Sequence, residues 1–276
     1  MAVNLDMGSC FKSSGDYVKK KVFLCAKLIQ LDKRWRIGAV SYLNTRPLLL
    51  GIEQEGFKNR IDLIKSYPAK IALDLIEGRI DIGLVPVAIM PLLAHPQVVS
   101  KYVIGSEREV ASVAIFSQVP MDQIECIYLD YQSRTSVQLA KVLLSQFWKK
   151  EVKFIDAEEG YIDHIKGATA GIIIGDRALA HLDQYEFVYD LGLAWKQHTG
   201  LPFVYAAWVA NQPIPLEFIT LFDEANAYGL AHLPEVIAGI PQSEQVYDLH
   251  QYYTQNISYE LTPLKQKGLD AFLNLL

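Results

Sequence analysis

From Arg34 onward the chain alternates between short apolar runs and longer stretches whose apolar positions recur every three or four residues. The first pattern predicts buried strands and the second amphipathic helices. Arg36–Val40 (RIGAV) reads as a strand and Ser41–Arg46 (SYLNTR) as a loop. A helix follows, with Pro47 in its first turn, Asn44 or Thr45 as its cap and Gly56 as its stop. Ile61–Ser66 is a second strand, Pro68–Glu77 an amphipathic helix stopped by Gly78, and Ile80–Val85 a buried strand that runs into Pro86.

The pattern then repeats. Ile124–Leu129 is strand-like, and Ser133 can cap a helix over Arg134–Trp148 whose apolar face is Val137, Ala140, Leu144 and Phe147. Ala170–Ile174 is another buried strand, before Gly175 and Asp176. Strands alternating with helices at this spacing predict α/β architecture with parallel or mixed sheets, here in two similar lobes. Ser112–Phe116 and Phe203–Val209, both extended and apolar, read as two crossover strands that take the chain to the second lobe and back. Helices over Pro215–Tyr228 and Pro263–Leu276 return to the first lobe. The expected division is 34–111 with 210–276 as lobe one and 112–209 as lobe two, preceded by a poorly ordered extension over residues 1–33.

That extension carries a basic run, Lys19–Lys21, before the short apolar patch Val22–Ala26. The patch falls short of the ~7–15 residues of a signal-peptide core, and no small-residue cleavage site follows, so a cytoplasmic location is expected. Cys10, Cys25 and Cys126 are widely spaced, without the clustering that holds a metal, and fit reduced thiols in that compartment. No apolar run approaches the ~20 residues of a membrane span. Lys and Arg number 26 against 31 Asp and Glu in 276 residues, a net charge of −5, which lacks the basic excess that nucleic-acid phosphates demand. The expected partner is a small molecule, and the expected assembly a monomer or weak homodimer.

Ligands of open α/β sheets bind where loops leave the carboxyl ends of strands. The loops concerned are Ser41–Arg46, Pro86–Ala88, Tyr131–Ser136 and Gly175–Asp176. Ser41, Tyr42, Asn44, Thr45 and Arg46 gather donors at a helix start, which suits a carboxylate or phosphate, although Asn44 and Thr45 would serve equally as plain caps. Ser133, Arg134, Thr135 and Ser136 repeat the arrangement; one hydroxyl suffices for a cap, so four polar residues in a row favour binding. Two facing anion sites suit a ligand with two acidic groups. The sequence contains no GxSxG elbow, Walker A loop, HExxH or spaced GxGxxG. Its six histidines are scattered, and Asp81 and Asp176 lie beside buried strands, where packing or capping competes with proton transfer. The residues alone describe a small-molecule cleft without an evident catalytic centre.

Seven segments, in order, add to this: SYLNTRPL (Ser41–Leu48), IDIGLVP (Ile80–Pro86), SVAIFSQVP (Ser112–Pro120), SRTSV (Ser133–Val137), IIIGDRAL (Ile172–Leu179), YDLGLAWKQHTGLPFVYAAW (Tyr189–Trp208) and the tail YYTQNISYELTPLKQKGLDAFL (Tyr252–Leu273). Together they resemble the menaquinone-biosynthesis MqnA family, the chorismate dehydratases of the futalosine route, from Arg34 to Leu276. The sister dihydroxynaphthoate synthases open on a Ser-Pro-Cys-Pro-type segment that this chain lacks. The resemblance implies a type-II periplasmic-binding-protein fold turned to catalysis, with no metal or organic cofactor. It also implies loss of water from chorismate to give 3-[(1-carboxyvinyl)oxy]benzoate. Carried onto this sequence, it makes Asn44 and Ser112 the residues that contact the reacting part of the substrate. Asn44 would hold the leaving hydroxyl or a carboxylate, and Ser112 would anchor the ring carboxylate or relay a proton. Pro86, Gly175 and Asp176 complete the expected binding wall. No matched segment supplies a clear general base, so the substrate's enolpyruvyl carboxylate is expected to take the proton, with Asp176 as the protein alternative. A non-catalytic binding protein for small anions, on the same fold, is the competing expectation.

Overall fold

The computed structural model describes residues 33–276. The extension expected over residues 1–33, with Cys10 and Cys25, lies outside the described residues apart from Lys33. The apolar runs become strands β1 (Trp35–Val40), β2 (Ile61–Ser66), β3 (Ile82–Pro86), β4 (Gln97–Ser106), β5 (Val113–Ser117), β6 (Cys126–Leu129), β7 (Lys153–Asp156), β8 (Thr169–Ile174), β9 (Phe187–Asp190), β10 (Phe203–Ala210) and β11 (Ser258–Glu260). The main helices are α1 (Arg46–Ile52), α2 (Pro68–Ile76), α3 (Thr135–Gln146), α4 (Asp176–His181), α5 (Leu191–Thr199), α6 (Leu216–Ala231) and α7 (Pro263–Leu273).

Two mixed sheets form the two lobes. The first has the order β11-β4-β10-β3-β1-β2 and the second β7-β6-β8-β5-β9. Parallel pairs (β1 with β2 and β3, β6 with β7 and β8) sit beside antiparallel ones made by β5 and β10. The chain leaves the first sheet after β4 and enters the second at β5; it returns through β9 and α5 to β10. Each of the two apolar segments read as crossover strands is therefore the first strand after a passage between lobes; Phe203–Val209, expected in lobe two, pairs with β3 and β4 and so lies in lobe one.

This arrangement brings distant segments to one place. Pairing of Ile37 with Ile82 sets the carboxyl ends of β1 and β3 side by side, and pairing of Ala206 with Pro86 brings the start of β10 to the same edge. In the second sheet Val113 pairs with Ile174, so the start of β5 meets the carboxyl end of β8. The edges carrying Ser41, Pro86, Ser112 and Gly175 thus face one cleft, where ligands of such sheets bind.

Packing fixes the loop after β1. Helix α1 lies against α6 backbone to backbone: a Cβ on Gly51 would stand 1.9 Å from the Ala225 carbonyl oxygen, and one on Gly229 1.8 Å from that of Pro47. Only glycine permits this approach. Gly56 is not the stop of α1, which ends at Ile52; the extended residue Gln54 separates it from a short helix, Glu55–Lys58, that contains Gly56. Helix α3 buries Leu139, Ala140, Leu143 and Leu144, leaving Val137 and Phe147 half-buried, because it packs against both β8 and α5. Strand β4 was not apparent in the hydrophobic pattern, since Gln97, Ser100 and Lys101 interrupt it. Among the described residues no helix is long and apolar enough to cross a membrane.

Candidate active site

A pocket opens in the cleft between the lobes. Lobe one contributes Val40, Tyr42, Asn44, Pro86, Tyr205 and Ala206; lobe two contributes Gln132, Ser133, Thr135, Ser136, Ile174 and Gly175. The wall is apolar apart from these hydroxyl and amide groups and carries no lysine or arginine. Thr135 and Ser136 form the first turn of α3, so the positive end of that helix opens onto the cleft, a favourable place for a carboxylate. Ser133 also caps this helix, its hydroxyl accepting the Ser136 N–H at 3.1 Å.

Hydrogen bonds across the cleft hold it closed. The Tyr42 hydroxyl donates to the Gln132 side chain, the Leu43 N–H to the Asp176 carboxylate at 3.0 Å and the Ala88 N–H to Thr135 Oγ1 at 3.2 Å. Gln132 is held in turn by Arg177, which also binds the buried Asp130 at 2.7 Å. Burial pushes the Asp176 carboxyl up to about 6; the Leu43 N–H and the Arg46 charge oppose the rise without cancelling it. Gly175, at φ +63 and ψ −145, occupies backbone space open essentially to glycine alone, and a Cβ there would lie 3.2 Å from the Tyr42 ring.

Asn44 and Ser112 meet through a third residue. Asn44 sits in the single turn Leu43–Thr45; its Oδ1 accepts from the fully buried Thr45 hydroxyl at 3.2 Å. The carbonyls of Leu43 and Asn44 accept from the hydroxyls of Tyr253 (3.0 Å) and Tyr259 (2.9 Å), which pin the turn. Tyr252, adjacent to Tyr253 at the start of the π-helical turn Tyr252–Asn256, donates to Ser112 Oγ at 2.8 Å and lies within hydrogen-bonding reach of the Asn44 side chain. Ser112 follows Ala111, whose φ of +60 is strained for a residue with a Cβ. Asp190 holds this bend: one of its oxygens accepts the N–H groups of Val110 (3.0 Å) and Ala111 (2.7 Å), and the other caps α5 through Leu193. Burial raises the Asp190 carboxyl to about 6 despite these donors.

The menaquinone-biosynthesis family profile matches residues 35–276. The chain belongs to that family. A curated chorismate dehydratase from Thermus thermophilus is 27% identical over 263 residues, spanning 87% of this chain and 94% of the relative. Among solved structures, protein AF1704 of Archaeoglobus fulgidus superposes with a TM-score of 0.65 at 10% identity, covering 88% of this chain and 96% of that one. The Candida albicans CA3427 gene product, described as having the generic periplasmic-binding-protein fold, gives a TM-score of 0.59 at 14% identity over 88% and 89% of the two chains. At these identities the structures speak for the fold alone. The resemblance to the MqnA family and the two-lobed binding-protein-like fold read from the sequence both hold.

For this member of the menaquinone-biosynthesis family the sequence-predicted residues divide into three groups. Tyr42, Asn44, Pro86, Ser133, Thr135, Ser136 and Gly175 line the cleft. Thr45, Ser112 and Asp176 stand behind the wall, each bonded to a residue of it or of its loops: Thr45 to Asn44, Ser112 through its carbonyl to the Gly175 N–H, and Asp176 to the Leu43 N–H. Ser41 and Arg134 are exposed and off the wall. Arg46 is also off it: its guanidinium pairs with Glu244 at 3.3 Å, while its Nε is buried and its charge acts on Asp176 and Tyr253 behind the wall. Asn44 and Thr45 do not cap α1 through their side chains. Asp81 is structural, binding Arg36, Lys33 and Gln212; these partners overcome its burial and hold its carboxyl at about 2. None of the six histidines is buried or lines the cleft. Among the described residues no cluster of metal-ligating side chains occurs. Sequence reasoning missed Gln132, Asp190, Tyr205 and Tyr252; the only signal for Tyr252 was its place in the tail that resembles the family.

Proposed function

We propose that the chain is a chorismate dehydratase that converts chorismate to 3-[(1-carboxyvinyl)oxy]benzoate in the futalosine route, acting in the cytoplasm. The observation that carries this reading is the meeting of Asn44 with the Ser133–Ser136 helix start on opposite walls of one cleft between the lobes. Chorismate has two carboxylates and a hydroxyl, and the wall offers neutral donors for all three: the α3 terminus with its hydroxyls, the Asn44 amide and the Tyr42 and Gln132 pair. Its family and its dehydratase relative support the same assignment.

The reaction removes the C3 hydrogen as a proton and expels the C4 hydroxyl as water, leaving an aromatic ring. Aromatisation supplies the driving force, so the protein's tasks are to fix the geometry and exclude bulk water. Asn44, on the wall, acts at the leaving hydroxyl or a carboxylate, and Ser112, set just behind the wall between Val113 and the Gly175 backbone, anchors the ring carboxylate or relays a proton. The enolpyruvyl carboxylate, tethered beside C3, takes the proton. Asp176 is the protein alternative, but both its oxygens already face the Leu43 N–H, at 3.0 and 3.3 Å, which favours the substrate-assisted route.

Purified protein incubated with chorismate and followed by ultraviolet absorbance tests the proposal. Growth of a benzoate-type spectrum is expected. Tight binding of chorismate or another anion without turnover would favour a solute-binding protein on this fold instead.

A further inference from the structure

We propose that Tyr252 is a positioning residue that sets the direction of the Ser112 hydroxyl, completing a one-way hydrogen-bond chain from Asn44 through Tyr252 to Ser112 and on to the substrate. The inference rests on the dehydratase reading and adds a residue to its machinery.

The direction of the chain follows from the donors available. Asn44 Oδ1 is occupied by the Thr45 hydroxyl, so the side-chain NH₂ is the group left to face the Tyr252 oxygen. Having accepted there, the Tyr252 hydroxyl donates its single proton to Ser112 Oγ at 2.8 Å. Ser112 then holds its own proton with no acceptor for it among the described residues, although the side chain is fully buried. A buried hydroxyl normally uses its donor. The Ser112 N–H is spent on the Val110 carbonyl at 2.7 Å, and the neighbouring Gly175 N–H on the Ser112 carbonyl at 2.8 Å, so the hydroxyl proton is the donor that remains.

The setting keeps the phenol neutral and fixed. Tyr252 is fully buried, and burial drives its ionisation far above the usual range for tyrosine, so it acts as a donor at every working pH. Rings of Tyr247 and Tyr253 pack against it at centroid distances of 6.1 and 5.6 Å. The residue opens a π-helical turn, a local irregularity that recurs at functional sites. Its predicted function is to prevent Ser112 from turning its proton inward, so that the hydroxyl meets the departing oxygen or the ring carboxylate as a ready donor.

The test is a kinetic double-mutant cycle with Tyr252→Phe and Ser112→Ala, measuring kcat and KM for chorismate. Y252F removes one oxygen and keeps the ring. It is expected to lower kcat by about 10- to 100-fold, with KM changed by less than about threefold, since an oriented proton donor acts mainly in the transition state. S112A is expected to cost at least as much, and the double variant to match S112A within about twofold, because Tyr252 acts only through Ser112. Ser112→Thr keeps the bonded hydroxyl and supplies a second arm should Y252F fold poorly: retention of at least about a tenth of kcat is expected where S112A retains less. Melting temperatures of all variants separate lost activity from lost fold. Y252F turning over chorismate within about twofold of the native protein, multiplying losses in the double variant, or S112T no better than S112A would overturn the inference while leaving the dehydratase reading intact. No turnover by the native protein overturns that reading itself, and the role of Tyr252 with it.

Discussion

Replacing Asp176 with asparagine probes the seam between the lobes through its charge. The carboxyl is raised from 3.8 to about 6 by burial, so the folded protein holds a proton there between about pH 4 and pH 6 that the unfolded chain has released. Stability therefore contains a contribution that is complete below about pH 4 and is lost as pH rises through about 6. At roughly 1.4 kcal/mol for each unit of pKa difference, ionising Asp176 costs the native state about 3 kcal/mol at pH 7. Asp176→Asn is uncharged at all pH values and keeps an oxygen for the Leu43 N–H. We expect it to unfold at higher urea concentration than the native protein at pH 7, by up to about 3 kcal/mol, and to match it near pH 4. Asp190 carries a similar rise, so the native protein loses up to two protons' worth of stability across this window and the variant only one. Asp81, held at about 2, titrates below it. Urea unfolding from about pH 4 to about pH 7 reads both slopes. An unchanged slope, or a variant less stable than the native protein at pH 7, would refute the assignment of a strained buried charge. The same variant speaks to the chemistry: if the substrate supplies its own base, D176N retains at least about a tenth of kcat.

Two further substitutions test the supports of the site. Gly175→Ala places a Cβ at φ +63 and 3.2 Å from the Tyr42 ring; it should destabilise by about 1–3 kcal/mol in urea and raise KM for chorismate as Tyr42 is pushed from Gln132. Asp190→Ala strips acceptors from the N–H groups of Val110, Ala111 and Leu193, and should cost about 3 kcal/mol or more in the same assay, together with most of kcat, because the Ala111 bend that presents Ser112 is no longer held. A kcat near the native value in Asp190→Ala would show that Ser112 does not depend on that bend.

Much of the fold could be read from the chain because β1, β3, β5, β8 and β10 are covered on both faces, and such strands appear as near-continuous apolar runs. Strand β4 escaped because its polar positions break the run, although β10 and β11 flank it. The loops of the site were legible for a related reason: they sit where apolar strands end and polar helix starts begin. What those side chains do was less so. Ser133 caps α3, but Asn44 and Thr45, equally suited to capping by type, bond each other and leave α1 uncapped by side chains. Arg46 and Arg134 looked like anion ligands, yet both stand off the wall, and neutral donors occupy the positions expected of charge. The tyrosines of the tail had no assigned role, since nothing in local periodicity shows that Tyr252 reaches Ser112 in the other lobe. Contacts of that range depend on the register of both sheets, which no local pattern contains.

The mass of the product decides whether the chain dehydrates chorismate. Chorismate incubated with the purified chain should give an aromatic acid lighter than chorismate by one water and still bearing the enolpyruvyl ether. Unaltered chorismate, or a hydroxybenzoate formed by loss of pyruvate, would contradict the account.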